Sequence, residues 1–286
     1  MSGFGLAIAG FAVFLLFWFA LPISLRKWGE GRLARLCRAR RVIVLSYDDG
    51  PGVTLTPQLL DLLAETAVKA SFHVLGRHAI QRPALLRRMI AEGHDVGSHT
   101  QDHSNAWRSP PWRAARDLAA GVSTVRSLGG HWRLFRPPFG KQTGGGLLQA
   151  ALLGLRHCWW TVDSRDSWAR RPIAEVLAEL RRRGGGVVLM HDFDRYDRAP
   201  PEPAHVDHVL ELTRQIIVFA GAEGFRMLPL SRLLDAPAPE GARVDRQLPQ
   251  NQRNQQNHSP IAPAPQTGQT RQTGQSPLRS ELLNCG

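Results

Sequence analysis

The sequence predicts an α/β fold in which about seven strands form a parallel sheet that closes, or nearly closes, into a barrel. Stretches typical of strands alternate with amphipathic stretches typical of helices along most of the chain. The first strand is an unbroken aliphatic run, as expected for a strand buried on both faces. Proline begins four of the helical stretches, at positions 57, 83, 111 and 172, and the first turn of a helix tolerates it. The 286 residues, 43% of them hydrophobic, suffice for one barrel domain.

The predicted elements follow one another in a regular order. Strands are expected over residues 42–47, 71–75, 94–97, 133–136, 155–161, 187–190 and 225–228. Helices are expected over residues 57–67, 83–91, 111–128, 146–153, 172–182 and 206–220. Because the carboxyl ends of the strands meet at one face of such a barrel, polar residues that follow the strands are expected to converge there.

The amino-terminal segment predicts a membrane anchor. Residues 1–25 contain no charged side chain, and residues 4–25 are long enough to cross a bilayer as a helix, for which about 20 residues suffice. The segment lacks the basic start and the small-residue cleavage site of a secretory signal, so we expect it to remain uncleaved. Residues 26–41 are strongly basic. The positive-inside rule then predicts a cytoplasmic location for the rest of the chain, with the periplasmic or extracellular face as the alternative.

Composition separates a globular domain over residues 42–235 from a tail over residues 236–286. The tail is rich in Pro, Gln, Asn and Thr and has too little apolar surface to offset chain entropy, so we predict that it is disordered. The net charge of +12 would suit a nucleic-acid binder, but no zinc-finger, RNP or P-loop pattern accompanies it. We therefore predict no nucleic-acid partner. The three cysteines lie far apart and indicate no disulfide framework.

Polar clusters follow most of the predicted strands. Asp48 and Asp49 end the first strand, and His99 and His103 follow the third. Their i, i+4 spacing predicts that the two histidines share one face of a helical turn. One carboxylate and two imidazoles are a recurrent ligand set for a divalent metal, with positions left open for water. Further clusters follow the next three strands at residues 136–140, 163–168 and 189–192.

Five motifs of this chain resemble, in order and spacing, those of carbohydrate esterase family 4, the NodB-like polysaccharide deacetylases. They are Ser46-Tyr47-Asp48-Asp49-Gly50-Pro51, His99-Thr100-x-x-His103, Arg136-Pro137-Pro138-Phe139-Gly140, Asp163-x-x-Asp166 and Leu189-Met190-His191. The resemblance covers residues 42–234. It implies a distorted seven-stranded β/α barrel and a metal-assisted hydrolysis that removes an N-acyl or O-acyl group from a sugar.

The resemblance also implies a role for each matching residue. These roles are metal ligand for Asp49, His99 and His103, catalytic base for Asp48, steering of that base for Arg136, catalytic acid for His191, orientation of the acid for Asp166, oxyanion binding through the backbone of Phe139, and pocket lining for Leu189 and Trp168. The implied metal is a single divalent ion, expected to be zinc. Two points stay open: Asp163 is the alternative to Asp166, and Ser167 precedes Trp168 where the family has the tryptophan directly after the aspartate.

The predicted function is removal of an N-acetyl group from a sugar in a glycan or in a lipid-linked glycan precursor. Two alternatives fit the same residues. One is a non-catalytic glycan-binding protein that retains the barrel; the other is a deformylase of a lipid-linked amino sugar, since the two acyl groups differ by one methyl group. Other polar residues of the domain are interpreted as structural or solvated, namely His73, His78, His94, Asp95 and His157.

Overall fold

The computed structural model describes residues 3–194 and 203–235, so the predicted disordered tail lies outside the described residues. The strands are β1 Val42–Asp48, β2 Ser71–Val74, β3 Asp95–Ser98, β4 Leu134–Phe135, β5 Arg156–His157, β6 Val162–Asp163, β7 Gly186–His191 and β8 Arg226–Met227. The helices are α1 Gly3–Leu15, α2 Leu21–Arg40, α3 Leu55–Glu65, α4 Gly76–Gln81, α5 Pro83–Ala91, α6 Pro111–Ser127, α7 Gly144–Leu152, α8 Ile173–Arg183, α9 Pro203–Ala222 and α10 Leu230–Asp235. A π-helical segment, Leu16–Ala20, joins α1 to α2, and Pro138–Gly140 forms a 3₁₀ turn.

The strands form one parallel sheet that curls into a half-barrel. Seven of them follow the order β5-β4-β3-β2-β1-β7-β6, and β8 pairs with the first residues of β1. β1 lies at the centre, paired with β7 along most of its length and with β2 at its carboxyl end. The predicted distorted α/β barrel of seven strands is confirmed.

The prediction of one strand over residues 155–161 is wrong. This stretch contributes β5 and the residues leading into β6, which lie at opposite edges of the sheet. Trp159 and Trp160 between them pack against α2 instead of pairing with a strand. The Trp159 ring lies so close to Gly29 that a Cβ there would be 2.6 Å from it, and the Arg26 guanidinium lies 4.7 Å above the Trp160 ring. The short helices α4 and α10 were not predicted either.

The two faces of β1 separate the outer core from the barrel interior. Ile43, Leu45 and Tyr47 pack in the cluster that also contains α3 and α9, whereas Val42 and Val44 belong to a second, inner cluster. Because successive side chains of a strand point to opposite faces, the last residue of β1 shares the face of Val42 and Val44. The sheet therefore delivers Asp48 to the mouth of the barrel interior.

The amino-terminal helix is part of this architecture. It runs from Phe4 to Arg40 and is long and apolar enough to cross a membrane, a property that it would share with a signal sequence. Its second half supplies Leu33 and Cys37 to the inner cluster. The basic segment that the sequence analysis placed beside the membrane is thus a helix with one face buried in the barrel.

The apolar part of the helix also contacts the barrel. Phe17 and Trp18 pack against Gly144 and Gly145, where a Cβ would lie 2.6 Å and 3.2 Å from their nearest atoms. Phe19 meets the Trp107 ring edge to face, with the ring centroids 5.9 Å apart. The helix and the loops around the barrel mouth are therefore packed together.

Candidate active site

The turn after β1 separates two neighbouring carboxylates. Asp48 is the last residue of the strand, and Asp49 adopts a left-handed conformation with φ of 73°. Such a conformation costs a non-glycine residue free energy and is kept where surrounding structure enforces it. Gly50 follows, and a Cβ there would lie 2.2 Å from both carboxylate oxygens of Asp192. The turn therefore has room only for glycine at this position.

Asp49, His99 and His103 form a three-residue group that fits a metal ion. Asp49 Oδ1 lies 3.4 Å from His99 Nε2 and 3.3 Å from His103 Nε2. Two ligands at zinc-like bond lengths of about 2.0–2.1 Å in a tetrahedral arrangement are separated by about 3.3 Å. Asp49 Oδ1 is also buried and has no hydrogen-bond partner among the described residues. The donor types, their spacing and this unsatisfied oxygen all fit a divalent ion.

His99 is held in the orientation that a metal ligand needs. Its Nδ1 lies 2.7 Å from the carbonyl oxygen of Arg136, which can only accept, so Nδ1 carries the hydrogen. Nε2 then presents its lone pair toward Asp49. Burial lowers the pKa of His103 to about 4 in spite of the nearby Asp49 carboxylate, so this imidazole is neutral.

The loop that carries the histidines is not the helical turn that their spacing predicts. Thr100 and His103 both have positive φ values, of 70° and 61°, and the chain between β3 and α6 contains no helix. Asp117 of α6 instead holds the loop, because its carboxylate accepts hydrogen bonds from three backbone N–H groups. They belong to Gln101, Asp102 and Ser104, at 3.1, 2.6 and 2.9 Å. The prediction of a helical turn is wrong, although the two imidazoles do meet.

Asp48 lies beside this group and is paired with a buried arginine. Arg136 Nη1 donates to Asp48 Oδ1 at 2.7 Å and to Ser46 Oγ at 3.1 Å, and Nε donates to the Cys158 carbonyl at 2.7 Å. Burial raises the pKa of Asp48, but the charge of the Arg136 guanidinium outweighs it and holds that pKa far below its usual range. Asp48 is therefore an ionised carboxylate next to the metal-ligand group.

His191 pairs with Asp166. His191 Nδ1 lies 2.9 Å from Asp166 Oδ1, and its backbone N–H donates to Oδ2 at 2.8 Å. Asp163, in contrast, accepts from the backbone N–H of Arg165. Burial opposes a charge on His191, yet the fully buried Asp166 carboxylate raises the pKa of His191 to about 10. His191 is the register partner of Asp48 on the neighbouring strand, so a protonated imidazole and an ionised carboxylate belong to adjacent positions of the sheet.

The remaining residues expected at the site take different positions. Phe139 is 52% exposed, and its ring centroid lies 4.6 Å from that of His103. Leu189 is buried within β7. Trp168 is 67% exposed, and the Arg165 guanidinium lies 5.3 Å from its ring centroid. The structure thus gathers Phe139 with the metal-ligand group and leaves Trp168 at the surface.

Sequence reasoning overlooked polar residues next to the site. His73, interpreted as structural, is the register partner of Asp48, and its Nδ1 lies 3.4 Å from Asp48 Oδ1. Burial lowers the pKa of His73 to about 4, so it is a neutral neighbour. Asp192 is fully buried, its carboxylate accepts from Thr56 Oγ1 at 2.8 Å, and burial raises its pKa to about 7. The one available signal for Asp192 was its position directly after His191.

Comparisons with known proteins agree with this geometry. The sequence profile of the family described as Polysaccharide deacetylase matches residues 35–158. A chitooligosaccharide deacetylase from Bradyrhizobium sp. (strain ANU 289) is 34% identical over 201 residues, which cover 68% of this chain and 90% of the relative. A peptidoglycan-N-acetylglucosamine deacetylase from Bacillus cereus is 30% identical over 198 residues, which cover 68% and 88%.

Solved structures show the same fold. The Bc1960 peptidoglycan N-acetylglucosamine deacetylase superposes with a TM-score of 0.60 and 25% identity, over 68% of this chain and 89% of that protein. A family 4 carbohydrate esterase from Streptomyces lividans, in complex with acetate, gives a TM-score of 0.55 and 25% identity over 66% and 91%. The chain therefore belongs to the polysaccharide deacetylase family, the family 4 carbohydrate esterases.

Proposed function

We propose that this carbohydrate deacetylase hydrolyses the N-acetyl group of an amino sugar, with Asp48 as general base and His191 as general acid. The proposal rests on one arrangement, a metal-ligand group flanked by two titratable side chains whose pKa values are shifted in opposite directions. Pairs of this kind allow acid and base catalysis in one site at neutral pH.

The metal is proposed to be zinc, held by Asp49, His99 and His103. Two imidazoles and one carboxylate are a common catalytic zinc set, and the open position would admit water and substrate. When bound there, the ion lowers the pKa of water toward roughly 7 and polarises the acyl oxygen. Side chains and backbone groups of the chain carry out the other steps of the proposed reaction.

Asp48 is proposed to take the proton of the attacking water. Because Arg136 keeps its carboxylate ionised, the acceptor is available throughout the neutral pH range. The water oxygen then forms a bond to the carbonyl carbon. The backbone N–H of Phe139 is proposed to donate to the developing oxyanion, and one such donor is worth about 10²- to 10³-fold in rate.

His191 is proposed to protonate the departing nitrogen as the carbon–nitrogen bond breaks. Without that proton the leaving group would be an amine anion, which is too basic to depart. Asp166 supports this role because it fixes the orientation of the ring and raises the pKa of His191. The products are acetate and the free amino sugar.

The relatives supply the substrate class. They are deacetylases of chitooligosaccharides and of peptidoglycan N-acetylglucosamine, so we infer that an N-acetylglucosamine unit occupies the site. Acetate release from chitooligosaccharides by the purified, zinc-loaded chain tests this, with Asp48→Asn as the inactive control. Equal release by both proteins, or by neither, would contradict it. An N-formylated analogue in the same assay distinguishes deacetylation from deformylation.

We further infer that residues 1–25 remain as a membrane anchor, followed by the basic segment 26–41, the barrel over 42–235 and the tail over 236–286. Packing of Phe17, Trp18 and Phe19 on the barrel loops supports retention of the helix. The basic residues after the apolar run favour the cytoplasmic side. A reporter fused after Asp235 that is active only outside the cytoplasm should remain silent, and activity there would place the barrel on the opposite face.

A further inference from the structure

An apolar cavity of about 350 Å³ lies beside the loop that carries the metal-ligating histidines. Its walls come from that loop, from the first turns of α6 and from the loop that precedes α7. They are largely apolar and include Trp18, Trp112, Ala115, Leu118, Phe135 and Pro138. This volume falls at the lower end of the range of about 300–1,000 Å³ for small-molecule sites. The cavity can therefore hold part of a ligand.

Direct sequence neighbours of the catalytic groups line the cavity. Thr100, one wall residue, directly follows the metal ligand His99. Pro137 and Pro138, also wall residues, lie between Arg136 and Phe139. The cavity is therefore one residue away, along the chain, from His99 and from Phe139.

The charged residues of the walls are occupied by the protein itself. The Asp117 carboxylate accepts backbone hydrogen bonds from the histidine loop. The Lys141 ammonium lies 5.1 Å from the ring centroid of Trp107. The two charged side chains of the walls are thus engaged within the protein, and most of the remaining wall surface is apolar.

The cavity also lies at the level of the apolar part of the amino-terminal helix. Trp18 belongs to the uncharged segment and precedes Leu25 by seven residues, or about 10 Å along the helix axis. Trp112, another wall residue, is 72% exposed, and tryptophan is enriched where proteins meet the membrane surface. A helix that anchors the chain would therefore hold the cavity against the lipid.

We propose that this cavity binds the hydrocarbon chain of an amphiphilic substrate, an N-acetylated sugar attached to a lipid in the membrane. The proposal rests on the deacetylase function proposed above and deepens it by naming the class of substrate. The sugar occupies the site at Asp49, His99 and His103 while its chain leaves the membrane for the cavity. The membrane helix thereby serves recognition of the substrate, because Trp18 forms part of the binding wall.

A homologous series of short alkyl glycosides tests the proposal. Methyl, butyl and hexyl glycosides of N-acetylglucosamine are compared as substrates of the full-length, zinc-loaded protein in detergent micelles, with acetate release as the readout. Burial of each added methylene is expected to raise kcat/KM by about fourfold until the cavity is filled. Ala115→Phe fills the cavity and should remove this dependence on chain length. Ala119→Phe, on the exposed side of the same helix, should retain it.

Each outcome of the series supports or overturns a defined statement. Equal kcat/KM for all three glycosides would overturn the cavity proposal and leave the deacetylase function standing, whereas no acetate from any of them would overturn both. Partition of the longer glycosides into micelles would preserve the dependence on chain length in Ala115→Phe, and that result also overturns the cavity proposal. Trp18→Ala removes one wall without adding bulk, and it should reduce the ratio of hexyl to methyl turnover even if Ala115→Phe does not fold.

Discussion

Replacing Asp166 with asparagine should remove the protonated form of His191 while preserving the shape of the site. The asparagine oxygen can still accept the backbone N–H of His191, which Asp166 Oδ2 accepts at 2.8 Å. The amide nitrogen of the new side chain would then face His191 Nδ1, which must become an acceptor. The imidazole is therefore expected to become neutral.

The size of the effect follows from the pKa of His191. Burial lowers that pKa, but the Asp166 carboxylate, with smaller contributions from Asp49 and Asp48, raises it from 6.5 to about 10. Loss of the Asp166 carboxylate should lower the pKa of His191 toward its ordinary value of about 6.5, at which about a tenth of the imidazole is protonated at pH 7.5. We expect kcat/KM at this pH to fall at least tenfold, and by as much as about 10²- to 10⁴-fold if general acid catalysis is lost entirely.

The assay is the pH profile of acetate release by the zinc-loaded enzyme. A general acid loses activity as the pH rises through its pKa, so the alkaline limb of the Asp166→Asn profile should move to lower pH. Asp163→Asn is the matched control, because Asp163 Oδ1 accepts from the Arg165 backbone and not from His191. If Asp166→Asn kept the wild-type rate and profile while Asp163→Asn lost activity, the assignment of the acid and its partner would be refuted.

Other variants test the remaining parts of the site and fold. Arg136→Met should raise the pKa of Asp48 and move the acid limb of the kcat/KM profile to higher pH. Because it leaves the buried Asp48 charge unpaired, it should also lower the free energy of unfolding by about 3–5 kcal/mol. An unchanged acid limb would contradict the pairing of Arg136 with Asp48. Asp49→Asn should lower the zinc content measured by elemental analysis from one equivalent, and full occupancy would exclude Asp49 as a ligand. Leu33→Ala should cost about 2–5 kcal/mol because Leu33 is buried in the barrel, whereas Leu152→Ala, at the surface, should cost little.

The proximity of several candidate site residues could be predicted because they stand at recognisable places in the sequence. Two carboxylates at the end of a buried aliphatic strand and a histidine pair after the third strand are local patterns, and the parallel sheet brings such positions to one face. The chemistry of the site, and not packing, requires these side-chain types, so they can be recognised from the sequence alone. This is why Asp48, Asp49, His99 and His103 could be placed together before the fold was seen.

What the sequence did not predict depends on contacts between distant residues. His73 lies next to Asp48 only through the register of β1 and β2, and Asp117 stabilises a loop that precedes it in sequence by 13 to 16 residues. The helical face that carries Leu33 and Cys37 is buried in the barrel, but many arginines surround these two residues in the sequence and obscure the apolar pattern of that face. No local pattern reports such pairings.

The central claim is that one divalent ion binds between Asp49, His99 and His103. A crystal structure of the zinc-loaded protein, with anomalous data collected at the zinc absorption edge, tests it most directly. We expect one strong anomalous peak within about 2.0–2.2 Å of a carboxylate oxygen of Asp49 and of the Nε2 atoms of both histidines. A zinc peak on other residues, or these three side chains turned away from a common point, would contradict it.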